Sequence, residues 1–487
     1  GEKPRRSWLT FLIGDPLATA EAPHQAIRKL VGLAVFASDA LSSTAYATQE
    51  MLVVLAAAGT MAFGIAVPMS LAIVALLAIV VASKEQTIHA YPEGGGAYTV
   101  ARDNLGNTSA AVAGAALLFD YILTVAVSIS SGVAQITSAF PVLFQHRVEL
   151  AVGLALLVML VNLRGVRESG TIFAIPTYFF VIMMFTIVII GLLRYLTGSL
   201  GMVTDPPPME VLGGPQALTL FLILRAFSSG TTALTGVEAI ANGVPAFKEP
   251  RSRNAGITLI WMAGILAVLL VTITFLAVQI GAIPSEEETV ISQIARTAGG
   301  GRNLLYLLTI AGTTIILIMA ANTSYNGFPR LAALLAMDGF LPRQLSFQGS
   351  RLVYSRGIVV LALLAAVFII IFKASVTALI PLYAIGVFLS FSLSQAGMAR
   401  RWWKAGQLGP QETRIEQGSV LKYETGWQSK LVINALGAFI TGVVMVIFAV
   451  TKFSQGAWIA LLLMPALVLV FFRIHRHYRN LASRLTL

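Results

Sequence analysis

Asp39 stands among four hydroxyls in Ala37-Ser38-Asp39-Ala40-Leu41-Ser42-Ser43-Thr44, inside a mostly apolar stretch from Leu30 to Met61. A carboxylate at membrane depth costs roughly 2.5 kcal/mol or more, so such a cluster persists where it faces a polar cavity or a bound cation. A second interruption, Ser228-Ser229-Gly230-Thr231-Thr232, has Thr235 and Glu238 just beyond it, three apart and so on one helical face. Asp120, Thr124 and Ser128 recur at i, i+4 and i+8, which puts all three on one face, with Tyr121 adjacent to the stripe. These residue types suit cation and proton chemistry, and the two interruptions are expected to face each other and build an ion site. The bland alternatives are kinks whose hydroxyls bond back to their own helix, and a hydrogen-bond seam between helices. They suit single hydroxyls better than two clusters that each carry an acid.

The elements that must position these residues are membrane helices. The chain has 487 residues, 57% hydrophobic and 11% charged, where a soluble domain carries about 25% charge. Its mean hydropathy is +0.81. Apolar runs long enough to cross a ~30 Å hydrocarbon layer recur throughout. Twelve are expected, at about 30–57, 64–83, 109–140, 148–163, 171–193, 217–241, 256–279, 303–328, 357–372, 376–398, 430–450 and 455–472. The first is broken near 38–44 and the sixth near 228–235. The organisation reads as an N-terminal segment 1–29, a transporter core 30–400, a loop 401–429, helices eleven and twelve over 430–472 and a tail 473–487.

Twelve crossings place both termini on one side. That side, with the even-numbered connections, collects 26 of the 33 Lys and Arg, Lys84 and Arg102 among them. By the positive-inside bias it is cytoplasmic. The net charge of +11 is thus topogenic first, with anionic membrane lipid as a secondary partner and no nucleic acid. The opposite side keeps few basic residues, and its longest loop holds Glu286-Glu287-Glu288. Cysteine is absent, which excludes disulfides and thiolate metal sites. Gly1-Glu2 lacks a starting Met and points to a processed or trimmed start. The stretch His89-Ala90-Tyr91-Pro92-Glu93-Gly94-Gly95-Gly96-Ala97-Tyr98 is a connection whose glycines permit unusual backbone angles and close helix contact. It is not a phosphate loop, because no strand precedes it and no Lys-Ser/Thr follows.

The fold class expected is an all-α polytopic membrane protein with a LeuT-like 5+5 inverted repeat, broken helices one and six meeting at the midplane. Phe36-Ala37-Ser38-Asp39 aligns faintly with Phe227-Ser228-Ser229-Gly230. Longer motifs carry a resemblance. Ser38-Asp39-Ala40-Leu41-Ser42-Ser43 with Ala45-Tyr46, Tyr91-Pro92 with Gly94-Gly95-Gly96-Ala97-Tyr98, and Phe119-Asp120-Tyr121-Ile122-Leu123-Thr124-Val125-Ala126-Val127-Ser128 resemble the KimA-type branch of the Kup family of potassium importers. Ala233-Leu234-Thr235-Gly236-Val237-Glu238-Ala239-Ile240 and Ile380-Pro381-Leu382-Tyr383-Ala384 do the same. This family belongs to the amino acid–polyamine–organocation superfamily, and the resemblance runs over about 8–475.

The resemblance implies secondary active potassium uptake at the plasma membrane. It implies that Asp39, Tyr46, Asp120, Tyr121, Thr124, Ser128, Thr235, Glu238 and Tyr383 line the potassium path. Potassium itself is expected at Asp39, Asp120, Thr124, Ser128 and Thr235, since a dehydrated ion takes roughly six to eight oxygens, as other hard cations do. Three acids around one or two monovalent ions invite proton-coupled symport, with Glu238 the first proton carrier and Asp120 the next. No cofactor beyond K+ and H+ as transported ions is expected. A homodimer and inhibition by a cyclic dinucleotide are further implications. Relatives commonly continue into a soluble domain, so a chain that stops soon after Arg484 is naturally short or truncated.

An amino acid or polyamine permease of the same architecture is the alternative. Asp39 would repel a substrate carboxylate but not a polyamine. A channel would need a filter of repeated carbonyl or charged rings, and no Thr-Val-Gly-Tyr-Gly segment occurs. The five His, at 24, 89, 146, 475 and 477, show no nucleophile pairing or metal-ligand spacing, so the protein is not expected to be an enzyme. Arg225, the basic residue expected in a helix near the acids, is read either as a structural partner of a carboxylate or as part of the path.

Overall fold

Lipid offers no hydrogen bonds, so apolar runs of this length close their backbone groups within helices. The computed structural model describes residues 27–164, 170–209, 211, 214–349, 353–409, 411–416 and 419–485. In chain order its α-helices are α1 (Lys29–Phe36), α2 (Ser38–Ser42), α3 (Ala47–Leu55), α4 (Ala66–Ala90), α5 (Ala97–Leu105), α6 (Asn107–Ala139), α7 (Arg147–Leu163), α8 (Gly170–Leu196) and α9 (Leu220–Gly230). They continue as α10 (Ala239–Asn242), α11 (Arg251–Gln279), α12 (Val290–Gly299), α13 (Leu304–Met337), α14 (Ser355–Ile371), α15 (Val376–Ala405), α16 (Trp427–Thr451) and α17 (Ala457–Leu485).

Among the described residues ten helices are long and apolar enough to cross a membrane, and the bent unit Lys29–Phe36 with Ser38–Ala58 makes eleven. At the ninth expected segment stands α14, a shorter apolar helix of 17 residues. Two expected boundaries move. α15 runs on past residue 400 to Ala405, and α17 continues unbroken from the twelfth segment to Leu485 rather than ending in a separate tail. The loop 401–429 is not all helix or coil: β1 (Thr413–Ile415) pairs antiparallel with β2 (Val420–Lys422). Glu416 anchors this hairpin to α15 through Lys404 at 2.9 Å and Arg401 at 3.4 Å. Residues 1–26 of the expected N-terminal segment, and Arg167 and Arg351 of the counted basic residues, lie outside the described residues.

Burial separates an inner ring from an outer one. The α6 span is 89% buried, whereas the windows of Pro141–Leu163 and Ala457–Arg484 are only 22% buried. The outer faces carry Leu461, Leu462, Leu469 and Val470 on α17, as lipid contact requires. The long α6 packs against α13 and α15, and α4 against α11, so the polar stripe of α6 faces protein.

Both interrupted helices sit inside this ring. The first bends by 52° where Ala37 separates α1 from α2. It passes through a 3-10 turn, Ser43–Ala45, before α3. The expected break at 38–44 is therefore two joints flanking one helical turn. In the sixth, α9 ends at Gly230 and a 3-10 turn covers Thr231–Leu234. Thr235 is extended with φ −65° and ψ 149°, and Gly236 has φ +78°. On one side of the breaks, Phe36 and Phe247 stack at 5.5 Å between ring centroids.

The glycine-rich connection braces the second of these helices. The Gly95 N–H donates to the Ala241 carbonyl at 3.3 Å. A Cβ on Gly96 would lie 2.6 Å from Asn242 Oδ1. Gly96→Val should therefore push the Asn242 amide away from the Tyr121 hydroxyl, which it contacts at 3.5 Å. Overpacking of this kind costs about 1–3 kcal/mol, so a lowered melting temperature in detergent is expected. An unchanged melting curve would show that the connection does not press on α10.

Candidate functional site

The two breaks meet. Ser43 Oγ shares its proton between the Ala40 carbonyl of its own turn at 2.5 Å and the Ala233 carbonyl of the second break at 2.9 Å. The backbone of Gly236 lies directly on Asp39, so that a Cβ there would fall 2.6 Å from Asp39 Cγ and 2.6 Å from Ala40 N. Thr235 Oγ1 donates to the Thr232 carbonyl at 2.8 Å, which commits its proton. The 3.3 Å contact between the Tyr46 hydroxyl and Thr235 Oγ1 therefore has Tyr46 as donor. One turn of α6 supplies the third wall: Thr124 Oγ1 donates at 3.1 Å to the hydroxyl of Tyr383, which follows Pro381 in α15.

The acids are enclosed. Asp39 and Asp120 are each 7% exposed and Glu238 5%. Asp39 Oδ1, Asp120 Oδ1 and both carboxylate oxygens of Glu238 accept no hydrogen bond. Asp39 lies within electrostatic reach of Glu238, and Asp120 within reach of both. A buried carboxylate oxygen without a partner is costly, and an ion or a proton is what such an oxygen accepts. Among the described residues no three His, Asp or Glu side chains converge as a metal cage.

The hydroxyl clusters follow the bland reading in one respect. Ser42 donates to the Asp39 carbonyl at 2.7 Å and Thr44 to Leu41 at 2.7 Å. Thr231 donates to Ser228 at 2.6 Å and Thr232 to Ser229 at 2.7 Å. Each donates its single proton backwards, which leaves its oxygen lone pairs free to face a cation. Back-bonding and cation binding are compatible.

The expected residues do not all assemble. Tyr46, Thr235, Thr124 and Tyr383 are joined pairwise as above, with Asp39, Asp120 and Glu238 around them. Ser128 is buried one turn beyond Thr124, but none of these hydrogen bonds reaches it. Tyr121 lies beside the stripe, within electrostatic reach of Glu238, Asp120 and Asp39, while its ring packs where a Cβ on Gly327 of α13 would sit, 2.7 Å away, and its hydroxyl meets Asn242.

The largest correction concerns Lys84. Expected as a topogenic charge in a loop, it is 1% exposed, because α4 continues through it to Ala90. Its Nζ lies 3.7 Å from Glu238 Oε2. Lys84 closes an apolar run and so reads as a boundary; the signal against that was Ile88, apolar again one turn on. Arg225 is 8% exposed, its Nε has no partner, and among the described residues it forms no ion pair with a carboxylate. A second buried charge set went unread. Glu50 and Lys452, each 1% exposed, interact electrostatically, and Thr377 donates to Glu50 Oε1 at 2.8 Å.

Two interrupted helices packed break to break around buried acids, with ten or more helices able to cross a membrane, define a multi-pass membrane protein. Residues 32–472 match the amino acid permease family, and the chain belongs to it. The chain is 45% identical over 476 residues to the potassium transporter KimA of Bacillus subtilis (strain 168), covering 98% of this chain and 75% of that protein. Among solved structures it is similar to a manganese transporter of Eremococcus coleocola bound to an aromatic bis-isothiourea compound, with a TM-score of 0.45, 14% identity, and 94% and 96% of the two chains covered. A histidine-to-alanine mutant of that transporter gives a TM-score of 0.46 at 13% identity, with 96% and 100% covered.

Proposed function

We propose that the protein carries potassium ions across the plasma membrane by alternating access, coupled to protons, with both termini cytoplasmic and α14 as a twelfth crossing. The observation that carries this reading is the set of buried carboxylate oxygens on Asp39, Asp120 and Glu238 that accept no hydrogen bond, beside the break-to-break contact. The identity of 45% to a potassium transporter over 98% of this chain supports the choice of ion. Around the proposed path, Asp39, Asp120, Thr124 and Thr235 offer oxygens for the ion, Ser128 lies one turn further along α6, and Glu238 offers a further carboxylate that the ion or a proton can occupy. Tyr46 and Tyr383 contact these residues through Thr235 and Thr124. Protons suit the acids because a desolvated carboxylate binds one when the cation is absent. Membrane voltage assists inward cation movement by about 2.3 kcal/mol per charge per 100 mV.

The family name favours a second reading, an amino acid substrate. The unpartnered oxygen of Asp39 opposes it, since a substrate carboxylate placed there would meet a like charge. A polyamine would not. The test is growth at low potassium, and potassium or rubidium uptake, in cells that lack their own importers. Rescue with saturable rubidium uptake is expected. No rescue, together with saturable uptake of an amino acid or a polyamine, would replace the potassium reading.

A further inference from the structure

Glu238 has a companion that the ion path does not explain. Lys84 Nζ is 3.7 Å from Glu238 Oε2, beyond the 2.7–2.9 Å of a charge-assisted hydrogen bond. The ammonium donates instead to Ser394 Oγ of α15 at 3.3 Å and lies 5.3 Å from the centroid of the Phe391 ring. The side chains of Lys84 and Glu238 are 1% and 7% exposed. The pair is closed from solvent and compensated in charge, yet not latched by a hydrogen bond.

We propose that Lys84 is a tethered cation that takes the place of the transported ion on Glu238 whenever the carrier is empty. This rests on the reading that Glu238 belongs to the potassium path. With an ion on Glu238, the ammonium stays on Ser394; when the ion leaves, it moves onto the carboxylate. A buried acid with no counter-charge would hold its ion too firmly, and a hydrogen-bonded pair would refuse it. Breaking a buried pair by removing one partner is strongly unfavourable, because the other charge is left uncompensated. Lysine suits this role because a point charge with three rotatable donors on a flexible stem can move between two acceptors without moving its helix. The other charged groups within reach of Glu238 are Asp39 and Asp120. Both are acids, so among the described residues Lys84 is the basic group of this cluster.

The step that needs Lys84 is therefore the return of the empty carrier, which exchange of one ion for another bypasses. The full chain in proteoliposomes separates the two: radioactive rubidium enters either vesicles without internal potassium or vesicles loaded with it. In Lys84→Gln, net uptake is expected to fall roughly tenfold or more, as an uncompensated buried charge demands. Exchange should remain within about twofold, and potassium should raise the melting temperature more than in the unmodified protein. A parallel loss of both modes with an unaltered potassium-induced shift, or undiminished net uptake, would overturn the proposal. Ser394→Ala gives an independent reading in a variant that removes one oxygen. With its loaded-state acceptor gone, the ammonium should compete for Glu238 and weaken apparent rubidium affinity by about tenfold. Unchanged affinity would count against the swap. If the unmodified protein takes up no rubidium in either mode, it is the potassium reading that fails, not the assignment of Lys84.

Discussion

Gly236→Ala should cost the protein both stability and transport. Gly236 has φ +78°, a left-handed conformation that costs an L side chain about 1–2 kcal/mol. The new methyl would also stand 2.6 Å from Ala40 N and 2.9 Å from the Asp39 carbonyl carbon. Those are backbone atoms and cannot swing aside, as the Asn242 amide can beside Gly96. Relief must come from separating the two breaks, at a further cost of about 1–3 kcal/mol. Separation would lengthen the 2.9 Å bond from Ser43 to Ala233 and the 3.3 Å contact from Tyr46 to Thr235. We expect a clearly lowered melting temperature in detergent and rubidium uptake near background in the fraction that still inserts. Normal melting with normal uptake would mean that the breaks do not press on each other here.

The same contact shows what the amino-acid sequence discloses and what it hides. Helical periodicity alone puts Asp120, Thr124 and Ser128 on one face, and the burial of that face in the structure agrees with it. Tyr121 lies one residue, and so about 100°, from Asp120 around the helix, which sends its ring to α13 instead of into the stripe. The breaks were legible because polar clusters interrupt apolar runs. Their form was not, because a Ser or Thr that bonds back to its own turn leaves the helix nearly intact. The joint falls at Ala37, which carries no signal of its own.

Buried pairing was the least legible feature. Lys84 and Glu238 meet only because α4 and the second break pack together, and no local pattern marks a lysine at the end of an apolar run as buried. Glu50 and Lys452 are hidden in the same way: they belong to distant segments, and each alone resembles a charge at a helix end. Counting basic residues by side treats every Lys and Arg as solvated. Lys84 and Lys452, each 1% exposed, break that assumption, and both are compensated by an acid inside the protein.

Asp39→Asn separates the charge of this site from its shape. Asparagine nearly matches aspartate in volume, so the packing of α2 against Gly236 is preserved. In the unmodified protein Asp39 Oδ1 accepts no hydrogen bond, and removing an uncompensated buried charge relieves a desolvation cost. The empty variant should therefore melt no lower than the unmodified protein. Ion binding moves the other way. A unit charge about 4 Å from a cation is worth about 4 kcal/mol at an effective dielectric of about 20. Even half of that corresponds to roughly thirtyfold in affinity. An amide that turns its nitrogen inward would also present donors to a cation. Rubidium uptake at low concentration should vanish while insertion and melting are retained, a combination that no packing defect produces. Near-normal potassium affinity in Asp39→Asn would remove Asp39 from the ion's shell and leave Asp120 and Glu238 as the acids that hold it.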